Sequence, residues 1–406
     1  MKKLTIFLAV LAAVSAALFA ASPSFPYHIG IVTGTVSQSE DDLRGAEALI
    51  AKYGAVADGG IIQHMTYPDN FMDEQETTIS IIRGLADDPL MKAVIVNQAV
   101  PGTAEAYRQI KEVRPDILCL SGGNQESPYL IASAADLIVD TDFVARGYLM
   151  ILAAHKLGCD TFVHISFPRH LANESTARRR SIMIETCKEL GMTFVDISAP
   201  DPTSDVGVAG AQQYILENTP VWIEKYGQNT AFFCTNDAHT EPLIRQLVNY
   251  GGYFIEADLP SPLMGYPGAL GLDLSAEAGD FTAILKKVES ELVARGAANR
   301  FGTWAYSYGY TTSLGLGQLA INAIEAEHEG KKFDITSIRN IQQAYREYTP
   351  GAQWNGSYFT EANSGVNYRN YVLIYQDTYI MGDYGYMGNA DEVVPEKFFY
   401  FSGKEH

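Results

Sequence analysis

Cysteine is scarce in this chain, with four in 406 residues. Cys119, Cys159, Cys187 and Cys234 form no CxxC pair and show no metal-ligand spacing, which argues against a zinc ribbon or a disulfide-framework fold. Cys119 and Cys234 sit in apolar strand-like runs (DILCL and AFFCT) and read as small core residues. Cys159 and Cys187 flank one strand–helix unit and have the option of a disulfide in an oxidising compartment, which spacing alone does not decide. The eight histidines are scattered, without an HExxH or HxH pair to hold a metal. A Walker loop and a GxGxxG fingerprint are both missing, so phosphate and dinucleotide binding are unsupported. Ser121-Gly122-Gly123 and Gly302-Thr303-Trp304 are not nucleophile elbows. The carboxylate pairs Asp41-Asp42 and Asp87-Asp88 are placed at helix ends, where caps and solvent account for them. No motif argues for an enzyme, and no cofactor is expected. Basic residues are also in deficit, 29 against 48 acidic, for a net charge of −19. Such a surface repels nucleic acid and anionic lipid head groups and favours solubility.

Long apolar runs are nearly absent too. One stretch, Leu4 to Phe19, follows Lys2 and Lys3 and precedes Ala20, Ala21 and Ser22, the layout of a cleavable export signal over residues 1–21. It is short for a span of about 20 residues, and an uncleaved anchor is the alternative. Removing two lysines and no acid leaves 27 − 48 = −21. A lipid anchor needs a cysteine just after the signal, and the first cysteine is Cys119. The expectation is a free periplasmic protein, monomeric, with no membrane insertion once the signal is cut.

Beyond residue 26, β and α patterns alternate. Continuous apolar runs at 27–33, 60–66, 92–97, 116–121 and 136–140 read as buried parallel strands. Between them lie amphipathic helices such as Glu40–Tyr53, Asp73–Ala86 (capped by Asp73, with Glu76 behind it) and Thr103–Val113. The series then restarts, with strands at 161–166, 193–198, 230–235 and 252–257 and helices near 174–190, 207–226 and 239–250. Two series exceed one ordinary core. The fold class expected is therefore α/β, with two doubly wound parallel-sheet, Rossmann-like lobes. Lobe 1 is 27–142, with part of 300–406 returning to it, and lobe 2 is 143–299. Residues 300–406 hold the hinge return, terminal helices, a Gly/Asn/aromatic loop WNGSYFTEANSGVNYRN and a C-terminal hairpin.

Ligands of open parallel sheets sit outside the carboxyl ends of the strands. The residues there supply hydroxyls, amides, a few carboxylates, one Arg–His pair and aromatics, a set suited to a polar small molecule. The candidates are Thr33, Thr35, Asp69, Asn70, Phe71, Asn97, Gln98 and Asn124 in the first series. In the second they are Phe167, Arg169, His170, Asn236, Asp237 and Asp258, with Tyr306 from the later aromatic segment. Each has a plainer alternative. Thr33-Gly34-Thr35 makes a tight turn, Asn124 closes a Gly-Gly turn, Asn236-Asp237 serves equally as a helix cap, and Phe71 and Phe167 suit a core. Arg178-Arg179-Arg180 at a helix start oppose the helix dipole and call for acids or an anionic ligand group. For two of the three, a solvated face is the simpler reading.

With these residues assembled, the chain resembles a type I periplasmic binding protein over nearly all of its length beyond the signal. The opening strand YHIGIVTGT, the crossover VDTDFVARGYLMILAAHKLGCDTFVHISF and the strand–loop AFFCTNDAHTEPLI carry the resemblance. Pro168-Arg169-His170, the segment Trp304–Tyr308 and the Gly/Tyr-rich tail are similar to the DUF3798 family in particular. The resemblance implies two similar α/β lobes joined by a hinge. It also implies a small-molecule ligand trapped between them and delivery to a membrane permease of the ABC type. A sensory module for a membrane receptor is the second reading, and a periplasmic enzyme on the same scaffold is a third. A transcriptional regulator is disfavoured by the export signal and the missing DNA-binding headpiece.

Overall fold

The apolar runs read as strands form the centres of parallel sheets in a computed structural model that describes residues 25–402. The export signal expected over 1–21 lies outside the described residues. The chain divides into two units, Met1–Ile138 with Thr312–Ile335, and Val139–Thr311 with Thr336–His406.

Unit 1 runs β1 (His28–Thr33), α1 (Val36–Tyr53), β2 (Ile62–Thr66), α2 (Gln75–Gly84), β3 (Met91–Asn97), α3 (Thr103–Val113), β4 (Leu118–Gly122) and α4 (Pro128–Ala132). Strand β5 (Leu137–Thr141) begins in it. The strands pair in parallel in the order β2-β1-β3-β4. Ile31 sits opposite His64 on one side and Ile95 on the other. Ile29, Ile31, Val32 and Ala93 through Val96 have no exposure, as strands covered on both faces require. With right-handed crossovers, β1-to-β2 and β2-to-β3 run in opposite directions, so α1 and α2 lie on opposite faces. The sheet order therefore reverses between β1 and β3.

Unit 2 continues with α5 (Phe143–Lys156), β6 (Thr161–Ser166), α6 (Pro168–Leu171), α7 (Glu174–Leu190), β7 (Thr193–Ser198), α8 (Gly207–Tyr226), β8 (Thr230–Cys234), α9 (Asp237–Tyr250) and β9 (Tyr253–Phe254). Their order, β7-β6-β8-β9, repeats the order of unit 1 strand for strand. Alternate strand residues face opposite layers. Val163, Ile165, Phe232 and Cys234 pack with Ile215, Trp222, Leu243 and Leu247 of α8 and α9. Phe162, Ala231 and Phe233 pack with Met150, Ala154, Met183 and Cys187 of α5 and α7. Helices thus cover both faces, and each unit is a doubly wound α/β sheet as expected. All four cysteines are buried free thiols, so Cys159 and Cys187 form no disulfide.

The chain goes on through α10 (Tyr266–Leu270), α11 (Phe281–Ala294), β10 (Gly302–Trp304) and α12 (Tyr308–His328). From Thr312 onward α12 belongs to unit 1, where a Cβ on Gly317 would stand 2.5 Å from Leu49 Cδ1. Glycine there lets α12 pack close on α1. Next come α13 (Ile338–Arg346), β11 (Trp354–Thr360), β12 (Asn367–Gln376), β13 (Thr378–Ile380) and β14 (Gly385–Tyr386). The segment 354–370, expected as a loop, is instead mostly an antiparallel hairpin pairing Trp354 with Gln376 through Thr360 with Asn367. Its Gly and Asn content hid the strands. Its turn is closed by Glu361, which accepts from the backbone N–H of Asn363 and Ser364. Two smaller differences concern helix and strand ends. Asp73 does not cap α2, whose first turn is entered from Glu74 with no side-chain cap. The strand expected over 252–257 stops at Phe254, because Glu256 turns away to meet a buried arginine.

Candidate functional site

A sheet whose strand order reverses leaves a crevice at the carboxyl ends of the two strands flanking the reversal. Unit 1 has this switch between β1 and β3, and unit 2 between β6 and β8.

In unit 1, Thr33 ends β1 fully buried. Its hydroxyl donates to Gly34 O and lies 2.9 Å from His64 Nε2. Thr35 and Ser37, at the start of α1, donate to the two carboxylate oxygens of Asp69 at 2.5 and 2.7 Å. These hydroxyls hold the Asp69 carboxyl below its ordinary range. Gln38 Nε2 donates to the Asp69 carbonyl at 2.8 Å. Asn97 ends β3 with no exposure, and its Nδ2 donates to Ser313 Oγ at 2.9 Å and to Asp42 Oδ1 at 3.3 Å. Gln98 is half-buried and accepts from Gln125 Nε2. Thr33, Thr35, Asp69, Asn97 and Gln98 therefore gather at one sheet end. Three other candidates have local structural tasks. Asn124 accepts from Glu126 N and donates to Glu126 O, closing the turn after β4. Asn70 presents its carbonyl to the N–H groups of Asp73 and Glu74. Phe71 packs edge-on against Tyr67, with ring centroids 5.6 Å apart.

In unit 2, Ser166 and Thr235 follow the same logic at the ends of β6 and β8, their buried hydroxyls 2.8 Å apart. Thr235 Oγ1 also lies 3.2 Å from His170 Nδ1. Phe167 is 1 % exposed, and its ring packs on His170 at 4.2 Å and edge-on to His239 at 6.0 Å. Burial pulls both imidazoles below their usual pKa, so they are neutral near pH 7. His239 Nε2 donates to Pro200 O at 3.2 Å, which leaves Nδ1 as a buried acceptor with no hydrogen bond. Asn236 caps α9 by accepting from Ala238 N at 3.0 Å, and Asp237 opens that helix. Arg169 is paired in two-pronged fashion with Asp201, at 2.7 and 2.9 Å. That pairing holds the Asp201 carboxyl well below its usual range. Asp258 accepts from the buried Arg179, which also stacks over Phe233. Tyr306 donates its hydroxyl to Pro350 O at 2.8 Å, in a setting 9 % exposed.

The three consecutive arginines form no solvated face. Arg178 donates to the carbonyls of Thr360 and Phe399, Arg179 meets Asp258, and Arg180 grips Asp196. Internal acids and carbonyls are the partners that the helix dipole demands.

A family model described as DUF3798 matches residues 27–302, and a second family model matches residues 313–401. The chain belongs to the DUF3798 family. A Treponema pallidum (strain Nichols) protein is 40% identical over 216 residues, spanning 52% of this chain and 98% of its own. Among solved structures, a Clostridium difficile 630 chain provisionally described as a transcriptional regulator aligns with TM-score 0.76 at 21% identity. It covers 87% of this chain and 99% of that one. A sugar ABC transporter structure from Actinomyces odontolyticus aligns with TM-score 0.50 at 9% identity, covering 86% and 94%. The DUF3798 fold of this chain is that of the type I periplasmic binding proteins.

Four polar residues near the strand ends of this DUF3798 chain escaped the sequence reading. Asp42 is no helix-end acid in solvent. It is 1 % exposed and lies on the buried stripe Asp42, Gly45, Ala46, Leu49 of α1. A carboxylate at i of an i, i+3, i+4, i+7 apolar stripe was the available signal. Burial pushes its pKa up to about 7, against the pull of Ser39 and Gln98. His239 sits at the third position of α9 on the stripe that also buries Leu243 and Leu247. Arg146 and Glu256, both without exposure, pair at 2.7 Å. Arg146 also donates to the carbonyls of Ala257 and Asp258, shaping the chain that leaves β9. No local pattern marks a pair 110 residues apart.

Proposed function

We propose that this protein is a solute-binding protein that captures a small polar or aromatic molecule at the strand-end surfaces of its two units. The observation that carries the reading is the repeated strand order, β2-β1-β3-β4 and β7-β6-β8-β9. Each order places a hydroxyl- and amide-rich cluster at its own switch point. Thr33, Thr35, Asn97 and Gln98 serve in one unit, and Thr235, His170, Asn236 and Asp237 in the other. The likeness of fold to a sugar ABC transporter supports delivery of the solute to a membrane permease, and the apolar pattern of residues 1–21 supports a periplasmic location. A ligand that binds one arrangement of the units better than another shifts the population toward it, and a permease can read that shift.

The test is to purify the native protein, denature it and identify any released compound by mass spectrometry. A compound present in stoichiometric amount and recovered unchanged supports binding, whereas accumulation of a product points to an enzyme. A thermal-shift panel of nucleosides, vitamins, amino acids and sugars follows, because binding to the native state alone raises the melting temperature. Thr235→Val and Asn97→Ala should both weaken any hit. No released compound and no shift across the panel would overturn the reading. A permease gene beside this one supports transport, and a kinase gene supports sensing.

A further inference from the structure

One buried polar group at the unit 1 switch point, Asp42, is a carboxyl on which no cation acts among the described residues. Asp42 Oδ1 accepts from Asn97 Nδ2, and Ser313 Oγ donates to the Asp42 carbonyl at 2.9 Å. The side chains of Ser39 and Gln98 also act on this carboxyl and favour its charged form, while among the described residues no hydrogen bond reaches the buried Oδ2. The charged neighbour acting on it, Asp41, has the same sign. Tyr67 is held neutral, its phenol pushed up by burial and by Asp42. A buried carboxylate with an idle acceptor carries a desolvation cost that only a donor or a cation removes.

A helix-capping role does not account for Asp42. Backbone dihedrals break α1 at Ser39 (φ −159°, ψ 88°), so Asp42 stands three residues into the regular part, where a capping-box acid would. Such an acid accepts the cap residue's own N–H. The Ser39 N–H is already taken, donating to Thr35 O at 2.9 Å. The surroundings hold Asp42 in place for another purpose. Asn97, its partner, is the last residue of β3, at the reversal of strand order. A Cβ on Gly122 would fall 2.7 Å from Asn97 Oδ1, so the bare backbone of β4 leaves room for the amide to aim its nitrogen at Asp42.

We infer that Asp42 is the cation-recognising group of the solute site, its Oδ2 accepting from a protonated amine on the bound molecule. The inference rests on the solute-binding reading and narrows its ligand to an amine-bearing polar compound. A charge-assisted N–H···O bond in a buried setting is strong and directional. Loss of the acceptor's charge should cost an amine ligand far more than a neutral one.

The compound released from the native protein is identified, and its affinity is measured by calorimetry for wild type and for Asp42→Asn, whose shape is conserved. Glucosamine with glucose, and tyramine with tyrosol, serve as probe pairs differing in an amine. A released compound carrying an amine, with affinity at least tenfold weaker in Asp42→Asn, is the expected result. Any neutral probe that binds should bind both proteins alike, which separates loss of the charge from loss of the fold. A released or panel ligand without an amine, or one bound equally by Asp42→Asn, overturns the inference and leaves solute binding standing. If no released compound is found and no panel member shifts the melting temperature, the solute-binding reading fails and takes this inference with it.

Discussion

Replacing Asp42 by asparagine should flatten part of the pH dependence of stability. The carboxyl is buried, and its pKa rises from 3.8 to about 7 in the folded protein. Below the unfolded value the group is protonated in both states and adds no pH dependence. Between 3.8 and 7 the native state keeps a proton that the unfolded chain has released, so this group's stabilising contribution falls as pH rises. The loss is about 1.4 kcal/mol per pH unit and reaches about 4 kcal/mol once the native carboxyl has ionised. That figure is a ceiling, since relaxation and water entry lower the cost of a buried charge. The substituted amide cannot ionise. It carries a constant cost of about 1–3 kcal/mol for placing an N–H where Oδ2 had no partner, and that cost does not change with pH. The stability of Asp42→Asn minus wild type should therefore rise from near zero or below at pH 4.5 toward positive values at pH 8. Carboxyls shifted the other way, such as Asp196, lowered to about 2 by His164 and Arg180 against its own burial, cancel in the difference. Urea unfolding of both proteins at matched pH, with equal m-values, reads it directly. A difference that stays flat from pH 4.5 to 8 would refute the argument.

Three further outcomes are expected. Arg146→Met strands the buried Glu256 carboxylate and should lower stability by about 3–5 kcal/mol, with much of it regained on adding Glu256→Gln; urea midpoints decide, and a loss below about 1 kcal/mol contradicts the pairing. Arg169→Ala removes an exposed pair with Asp201, the arginine side chain being 52% exposed, and should change stability by less than about 1 kcal/mol. Unchanged affinity for an identified ligand in that variant removes Arg169 from the site. The four thiols, each raised by burial to about 12, should resist iodoacetamide in the native state and all react after denaturation under non-reducing conditions; two unreactive thiols in the denatured chain would reveal a disulfide.

The parallel core was readable because periodicity reports it. Ile29, Ile31, Val94 and Ile95 lie in short, β-branched apolar runs bounded by turn residues, the pattern of strands in a sheet covered on both faces. Helices α3, α7 and α8 are legible to the residue for the complementary reason, their apolar stripes and their stops being local, Pro115 beyond α3 and glycine after α7 and α8. Strand β11 and the first residues of β12 were hidden because they carry Asn, Gly, Ser and Tyr, whereas Tyr371–Gln376 of β12 lies in the hairpin expected there and pairs with β11. Their pairing with each other makes them strands, and local preference does not. At the site, hydroxyls and amides at strand ends were legible from position alone. Whether each side chain serves the fold or a ligand was not, since that depends on distant partners: Arg169 on Asp201, Tyr306 on Pro350, Asn236 on its own helix.

The two units share a strand order and differ in what stands at the reversal. Unit 1 places a threonine hydroxyl, an asparagine and a buried acid there, and unit 2 places two hydroxyls and two neutral imidazoles. Equal topology with unequal chemistry follows when the strand order fixes where side chains stand and leaves which side chains they are to each unit's own task. Both sets are short of donors at depth. Asp42 Oδ2 and His239 Nδ1 are each buried acceptors with no hydrogen bond. A polar group buried without a partner is disfavoured by folding alone, so a donor supplied from outside would relieve each of them, although they stand on helices that follow different strands of the repeated order. For Asp42 the inferred amine of the solute is such a partner, and the Asp42→Asn comparison is what decides it.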